Sequence, residues 1–383
     1  MKIGILTLPL KNNYGGILQC YALTLVLKRF NQQPIVLSRD FRKYENKGLN
    51  YIYLLAKYIQ HVFENRTFVS PSDYRKLLYI SHNTNYFINK YINPRSPVFF
   101  TTKELSDFVH AEGLNAFVVG SDQCWRPSYS SCITNYFLDF IFQDNCEYKR
   151  VAYAASFGVD KWEFSQKQTE SCSNLIKLFN GISVREDSAI FLCKKFMGVE
   201  AEQVLDPTML LEKQDYEDLV LKEQEPCSLG DLFYYVLDPT SAKDKLINDI
   251  AKSCSLVPFT AMPTKPYTFH NMLSNLEDCV YPSVTQWLRA FMDAKMVLTD
   301  SFHGCVFSII FNKPFWVIGN EGRGFARFSS LLKMFRLENR LVSVDAVDSN
   351  DWNSPIDWDE VNKIRNEWCL KSKSFLLRNL SIK

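Results

Sequence analysis

The sequence predicts an α/β protein built from two parallel-sheet units in tandem. Short apolar runs of strand length alternate with segments whose apolar residues recur at helical spacing, which is typical of βαβ units. The chain has 383 residues, which is long for a single hydrophobic core. A charged, loop-like stretch over residues 212–230 separates two series of predicted strands, so we expect the domain boundary there.

The first series opens with a strand over residues 2–7, a polar loop and a helix. The helix carries apolar residues at Leu18, Ala22, Leu25 and Val26, which is helical spacing. A second strand follows, and the opening is therefore a βαβ unit with a parallel sheet. Further strands of this series are predicted at 35–37, 116–119, 151–155, 181–184 and 203–205.

The second series repeats the alternation. Its strands are predicted at 232–237, 257–260, 296–299 and 315–318, and residues 358–380 form a closing helix. We therefore expect an N-terminal domain over residues 1–215 and a C-terminal domain over residues 216–383.

An aromatic, Tyr-rich segment from about residue 41 to 97 interrupts the first series. Between residues 41 and 94 the chain has eight Lys or Arg and three Asp or Glu. An inserted pair of helices with a solvated basic face explains this pattern. A surface that rests on anionic lipid headgroups or on a lipid-linked substrate explains it as well, and both alternatives stay open.

The bulk composition excludes several classes of protein. The net charge is +2 with both signs mixed, which provides no broad basic surface for nucleic acid. No apolar run approaches about 20 residues, and the apolar N-terminus ends at Pro9 without a basic region, so we expect a cytoplasmic protein without a signal peptide or membrane span. The eleven cysteines lack CxxC spacing, which predicts reduced core thiols and no bound metal.

Polar residues follow the predicted strands at the point where each strand ends. Because the carboxyl ends of parallel strands meet at one edge of a sheet, these loops are expected to line one cleft. They lie at 12–16, 120–125, 156–158, 185–187, 206–208 and 300–304. Simpler explanations stay open: Asp300 or Ser301 caps the next helix, and Asp206 suits a turn or a cap. Trp125 and His303 suit a buried core.

Six segments together resemble the polysaccharide pyruvyl transferase family. In chain order they are NNYGGILQCYAL, FVVGSDQCWRP, YAASFG, SVREDSA, VLDPTMLL and VLTDSFHGCVFSIIFNKPF. The resemblance implies a GT-B-like fold, in which two Rossmann-type domains have parallel sheets that face a central cleft. It also implies a step of capsule or exopolysaccharide biosynthesis that moves pyruvate from phosphoenolpyruvate onto a sugar hydroxyl pair as a ketal. No cofactor is expected beside phosphoenolpyruvate as co-substrate.

The resemblance assigns the donor site mainly to the second domain. Family members bind the donor's phosphate and carboxylate with an arginine that matches Arg185 and a histidine that matches His303. We expect His303 to transfer a proton or to contact the phosphate, and Arg185 to hold the anionic groups. Asp122 is the third candidate catalytic residue, on the acceptor side.

The chain departs from the family pattern at one donor position. Many members have an arginine two places before the histidine, where this chain has Ser301. The missing cation would be replaced by N–H groups at Gly304 and Cys305, if the helix begins there, or by Arg323 or Arg327.

The acceptor side is assigned to the first domain, since carboxylates suit paired sugar hydroxyls and aromatic faces suit a sugar ring. The candidates are Asn13, Tyr14, Gly15, Asp122, Gln123 and Trp125. Whether the glycan acceptor is lipid-linked, and whether the protein touches the inner face of the membrane, stay open. A nucleotide-sugar glycosyltransferase and a non-catalytic glycan-binding protein remain alternative functions, because fold does not fix function.

Overall fold

A computed structural model describes residues 1–40, 74–130, 132–141, 148–268, 275–319, 325–344 and 351–382. Among these residues the first sheet is entirely parallel. Its strands are β1 (Lys2–Leu6), β2 (Gln33–Arg39), β3 (Arg95–Phe99), β4 (Ala116–Val119), β5 (Lys149–Ala155), β6 (Gly181–Val184) and β7 (Glu202–Gln203). They lie in the spatial order β3-β2-β1-β4-β5-β6-β7.

The second sheet is also parallel. Its strands are β8 (Leu232–Tyr235), β9 (Pro258–Phe259), β10 (Met296–Thr299), β11 (Phe315–Ile318) and β12 (Leu341–Val342). They lie in the order β12-β11-β10-β8-β9. The two sheets confirm the predicted α/β class with two parallel units.

The α-helices of the described residues connect and cover these strands. They are α1 (Tyr14–Arg29), α2 (Tyr74–Ile80), α3 (His82–Tyr91), α4 (Thr102–Ala111), α5 (Gln166–Ile176), α6 (Asp187–Leu192), α7 (Lys213–Lys222), α8 (Ser241–Cys254), α9 (Val284–Asp293), α10 (Phe302–Ile310), α11 (Phe325–Met334) and α12 (Trp358–Leu380). No helix in the described ranges is both long and apolar enough to cross a membrane.

Burial explains why the central strands form where the sequence predicts them. All four residues of β4 and all four of β10 are buried, because helices cover both faces of a parallel sheet. The helix α1 begins at a polar cap, where the side chain of Asn13 accepts a hydrogen bond from the Gly16 N–H at 3.1 Å. These local preferences place the loops after β1, β4 and β10 at the carboxyl edges of the sheets.

Each sheet contains one topological switch point, where successive strands begin to add on the opposite side. In the first sheet it lies between β1 and β4, whose Ile5 and Val118 are register partners. In the second it lies between β8 and β10, whose Tyr234 and Leu298 are register partners. Loops leave such a point in opposite directions, so a crevice opens at the carboxyl ends of the strands.

Helix α12 packs on the first sheet, although it follows the second sheet in the chain. The Ser372 hydroxyl oxygen accepts a hydrogen bond from the Leu205 N–H at 3.0 Å. The ring of Phe375 lies 6.3 Å from that of Tyr153 on β5. The closing helix, which the sequence assigns to the C-terminal domain, therefore completes the core of the N-terminal one.

Two segments differ from the sequence-based expectation. The stretch 212–230, predicted to be loop-like, contains α7, whose first turn is capped when the Asp215 carboxylate accepts a hydrogen bond from the Glu212 N–H at 2.9 Å. The predicted helical insertion at 41–97 ends in β3, an edge strand that tolerates Pro97 because one side of an edge strand needs no ladder bonds. Residues 41–73, which carry most of that insertion, lie outside the described residues.

Candidate active site

A cavity of about 500 Å³ lies at the carboxyl ends of the strands that flank both switch points. The loops after β1 and β4 line it from the first domain, and the loops after β8 and β10 line it from the second. Its polar lining consists of Lys11, Asn12, Asn13, Gln19, Asp122, Gln123, Asp300, Ser301, His303 and Arg327, and its aromatic lining includes Tyr129, Tyr235, Tyr281 and Phe302. The predicted convergence on one cleft is confirmed for the loops at 12–16, 120–125 and 300–304, whereas the predicted loops at 156–158, 185–187 and 206–208 do not line this cavity.

His303 lies in the first turn of α10, and its side chain is almost fully enclosed. Its Nε2 lies 3.6 Å from Oδ2 of Asp206, which is a charge-pair distance longer than a hydrogen bond. On another side the ring rests against Gly15, where an added Cβ would lie only 2.0 Å from Nδ1. Gly15, predicted to contact the acceptor, instead makes room for the imidazole.

Asp206 is the buried carboxylate that joins these groups. Its Oδ2 accepts hydrogen bonds from Arg185 at 3.0 Å and from the Ser121 hydroxyl at 3.3 Å. Its Oδ1 accepts hydrogen bonds from the Thr208 N–H and hydroxyl at 3.1 and 2.7 Å. Burial alone would raise the pKa of Asp206, but the contact with His303 and the charge of Arg185 hold this pKa well below its usual range.

Arg185 lies behind the cavity wall. Its guanidinium bonds Asp206 and, at 3.4 Å, Asp122, and its central carbon lies 4.2 Å from the ring centroid of Phe302. Burial opposes the charge, but the two carboxylates keep the pKa of Arg185 above its ordinary value. Arg185 is not among the residues that line the cavity, so a direct clamp on a donor anion would require this buried group to rearrange.

Arg327, from α11, is the arginine that lines the cavity. Its guanidinium carbon lies 6.0 Å from the Phe302 ring centroid. Burial, together with the charge of Arg185, lowers the pKa of Arg327 to about 10. An anion bound beside Arg327 would offset this cost. Arg323, the other predicted candidate, lies outside the described residues.

The turn into α10 differs in detail from the prediction. Ser301 occupies the N-cap position and lines the cavity, but its side chain makes no cap hydrogen bond. The Asp300 carboxylate accepts hydrogen bonds from the Leu237 N–H and from Lys243 Nζ, each at 2.7 Å. The prediction that Ser301 or Asp300 caps the helix through its side chain is therefore wrong, because Asp300 bonds the loop after β8 and a buried lysine.

The helix begins at Phe302, two residues before Gly304, where a helix start would have made the Gly304 and Cys305 N–H groups available to the donor. The Cys305 N–H already donates to the Ser301 carbonyl oxygen at 3.1 Å, so it is not available to an anion. At Gly304 an added Cβ would lie 2.1 Å from Oγ1 of Thr299, and this glycine lets the helix approach β10 closely. The first-turn N–H groups without an intrahelical acceptor are those of residues 302–304.

Three of the predicted acceptor residues share one side of the cavity. Asp122 adopts a left-handed backbone conformation with φ of +69°, which is uncommon for a residue other than glycine. Its Oδ2 accepts a hydrogen bond from Asn13 Nδ2 at 3.4 Å. Gln123 lines the cavity beside them, and its side-chain oxygen accepts a hydrogen bond from Arg126 at 3.3 Å.

The two predicted aromatic acceptor residues lie elsewhere. The Tyr14 ring stacks on Trp287 at 5.5 Å, and its hydroxyl donates to the Pro282 carbonyl oxygen at 2.9 Å. Trp125 is buried, and its Nε1 donates to the Tyr136 carbonyl oxygen at 3.1 Å. The expectation that either ring faces a sugar is therefore wrong, since both rings are core groups and neither lines the cavity.

Sequence reasoning missed several residues of this site. Asp206 follows a predicted strand in VLDP, and its loop was among those expected at the cleft, but its contact with His303 was not predicted. Lys243 and the lining tyrosines Tyr129, Tyr235 and Tyr281 carry no signal that separates them from surface or core residues. Within the described ranges no group of three or more His, Cys, Asp or Glu side chains could hold a metal ion.

Comparison with known proteins identifies both the family and the fold. A family model described as polysaccharide pyruvyl transferase matches residues 13–322. The search of curated proteins gave no match.

Similar solved structures include UDP-GlcNAc 2-epimerase from Neisseria meningitidis bound to UDP-GlcNAc, at 9% identity, full coverage of both chains and a TM-score of 0.51. UDP-GlcNAc 2-epimerase from Methanocaldococcus jannaschii is 12% identical, with full coverage of both chains and a TM-score of 0.50. The N-terminal domain of Candida albicans trehalose-6-phosphate phosphatase is 11% identical, with 100% of this chain and 97% of that chain covered and a TM-score of 0.50. At these identities the similarity concerns the fold, and it confirms the predicted GT-B-like arrangement.

Proposed function

Because the chain belongs to the polysaccharide pyruvyl transferase family, we propose that it transfers pyruvate from phosphoenolpyruvate to a pair of sugar hydroxyls. The observation that supports this proposal most directly is the position of His303. This titratable ring lies in the wall of a cavity that also holds the cation Arg327 and the polar groups of Asn13 and Asp122. A proton-transfer group, a cation and hydroxyl partners are what the reaction requires.

The proposed reaction balances without a redox cofactor. The methylene carbon of phosphoenolpyruvate takes a proton and becomes a methyl group, and the electron-poor central carbon is attacked by one sugar hydroxyl. The second hydroxyl attacks the same carbon as the C–O bond to phosphate breaks. Of the two protons that the hydroxyls lose, one replaces the proton placed on the methyl group and the other leaves with inorganic phosphate. The product is the cyclic ketal.

Each part of the cavity receives a role. His303 delivers the proton to the methylene carbon. Arg327 and the first-turn N–H groups at the start of α10 hold the phosphate and the carboxylate, because both attract anions. Arg185 acts indirectly by holding Asp122 and Asp206 in place.

The acceptor is proposed to occupy the side formed by the first domain. Asn13, Asp122 and Gln123 offer hydrogen-bonding groups for vicinal hydroxyls. The lining tyrosines offer the aromatic faces that the sequence assigned to Tyr14 and Trp125. The glycan acceptor is either free or lipid-linked, and a lipid-linked one would bring the protein to the membrane surface.

The test is a direct assay. The protein is incubated with phosphoenolpyruvate and a panel of aryl galactosides and N-acetylhexosamines, each offered in soluble and in lipid-linked form. We expect the acceptor to gain the mass of pyruvic acid less one water, with one phosphate released per ketal. The His303→Gln variant, folded as judged by circular dichroism, should lose about 10²-fold or more of this rate.

The same assay distinguishes the alternatives. A melting temperature raised by nucleotide sugars but not by phosphoenolpyruvate would contradict the proposal and favour a glycosyltransferase. Saccharide binding that persists in Arg327→Met and His303→Gln variants, with no phosphate release by the wild-type protein, would favour a non-catalytic glycan-binding protein.

A further inference from the structure

His303 belongs to the second domain, but groups of the first domain enclose its ring. Gly15 comes from α1, and Asp206 follows β7, so both precede α7 in the chain. The residue is only 6% exposed. Its Nε2 has no hydrogen-bond partner within the described residues and lies 3.6 Å from the Asp206 carboxylate. We call Gly15 and Asp206 the His303 socket.

The charges around the socket make Asp206 the natural partner of this ring. Arg185 bonds the same carboxylate oxygen that faces Nε2, and Asp122 bonds Arg185 from its other side. Arg327 is a wall of the same cavity, and the neighbouring Phe302 meets the imidazole edge-on at 5.3 Å. Of the charged groups on these elements, Asp206 is the one within charge-pair distance of the ring.

We propose that Asp206 is a positioning residue for His303, and that the His303 socket holds the imidazole in one orientation in the wall of the cavity. The buried carboxylate faces Nε2 of the imidazole at charge-pair distance, and so it favours this orientation of the ring. Gly15 permits this orientation, because any larger residue would occupy the position of the ring.

The catalytic meaning of the socket depends on the proposed function. A ring held in one orientation presents its proton from a fixed position in the cavity wall, which proton transfer to one carbon of the donor requires. Loss of Gly15 or of the Asp206 carboxylate would allow the ring other orientations and slow that step.

The first test changes the socket without touching the Asp206 hydrogen bonds. Gly15→Ala places a methyl group where the ring lies, whereas the matched control Gly16→Ala places one 3.0 Å from the flexible Asn13 amide. Both glycines lie in the first turn of α1, and Ala favours helix by about 1 kcal/mol over Gly. A defect confined to Gly15→Ala therefore cannot come from helix stability.

The readout is the imidazole ¹⁵N spectrum of the full chain labelled at its five histidines. The signals of His303 are identified by their absence in His303→Gln. At one fixed pH we expect Asp206→Asn and Gly15→Ala to change the His303 ring signals, because the orientation and surroundings of the ring change. The Gly16→Ala variant should keep the wild-type signals.

Kinetics separate positioning from a general structural effect. With phosphoenolpyruvate, Gly15→Ala and Asp206→Asn should each lower kcat by about 10²-fold while KM changes by less than about 3-fold, since the anion-binding groups stay in place. If Asp206→Asn does not fold, Gly15→Ala carries the test alone. If Asp206→Asn folds and its His303 signals are unchanged, the inference is wrong. If Asp206→Asn does not fold, unchanged His303 signals in Gly15→Ala would overturn it.

The two proposals fail in different ways. If the ring signals respond as expected but no ketal forms with phosphoenolpyruvate, the socket is supported and the proposed function is wrong. If ketal forms while the variants keep both the wild-type signals and the wild-type kcat, the proposed function stands and the socket is wrong.

Discussion

The guanidinium of Arg185 in the first domain packs on the ring of Phe302 in the second, with 4.2 Å between the guanidinium carbon and the ring centroid. Phe302 lines the cavity and Arg185 does not. The ring therefore covers the Arg185 guanidinium and at the same time joins the two domains.

Replacing Phe302 should test this contact. Phe302→Leu keeps an apolar side chain but removes an aromatic face that is worth about 2 kcal/mol to a desolvated cation. We expect kcat/KM for phosphoenolpyruvate to fall at least about 10-fold. The control is Phe307→Leu in the same helix, a buried ring that does not line the cavity; it should lower the melting temperature and spare kcat/KM. Equal kinetic losses in both variants would contradict the proposed link.

Arg327 should contribute to the binding of phosphoenolpyruvate. Arg327→Met is expected to raise KM for phosphoenolpyruvate by roughly 10- to 100-fold, because a charge-assisted hydrogen bond is worth about 1.5–3 kcal/mol. Steady-state kinetics measure this effect, and thermal unfolding shows whether the variant is folded.

The matched control for Arg327 is Arg340, a second buried arginine. Arg340 packs at 4.8 Å over the ring of Trp316 and donates to the Ser354 carbonyl oxygen at 2.9 Å, away from the cavity lining. Arg340→Met should lower the melting temperature and leave KM unchanged. A variant of Arg327 that loses stability without any change in KM would exclude Arg327 from the donor site.

Position 301 tests the departure from the family pattern. Ser301 lines the cavity, so Ser301→Arg would add a cation to a site that is expected to bind a phosphate and a carboxylate. We expect KM for phosphoenolpyruvate to fall severalfold. Ser301→Met, which adds length without charge, should not lower KM. If the arginine and methionine variants behave alike, position 301 does not face the donor anion.

The ionisation of Asp206 predicts a pH dependence of stability. Its pKa in the folded protein lies well below the value of about 3.9 in an unfolded chain. A carboxylate whose pKa is lowered by folding stabilises the folded protein fully when the pH is above its unfolded pKa. This stabilisation is lost as the pH falls below about 4. The difference in unfolding free energy between wild type and Asp206→Asn should therefore shrink as the pH falls below about 4. Urea unfolding at each pH measures it, and a difference that widens below about pH 4 would contradict the prediction.

The fold was predictable where burial makes the sequence pattern simple. The predicted bounds 116–119 and 296–299 are those of β4 and β10, because strands covered on both faces are unbroken apolar runs. The strand β3 escaped prediction, since two prolines and an edge position remove that pattern. Helix α7 was not predicted, because its charged residues suggested a loop.

The site was predictable to the level of its loops and less so for single side chains. His303, Asp122 and Arg327 do line the cavity, as strand-end positions and the family resemblance indicated. Tyr14 does not, since its orientation depends on Trp287, which is far away in sequence. The contact between Asp206 and His303 joins two domains, and no local pattern encodes such a pairing.

Helix α12 determines when the first sheet can be fully covered during translation. It is translated after every other described element, but its Phe375 packs near Tyr153 of β5. The first sheet must therefore wait, with apolar surface uncovered, until residues 358–380 have emerged. A chain that lacks residues 358–380 would leave that apolar surface exposed, which favours aggregation and proteolysis.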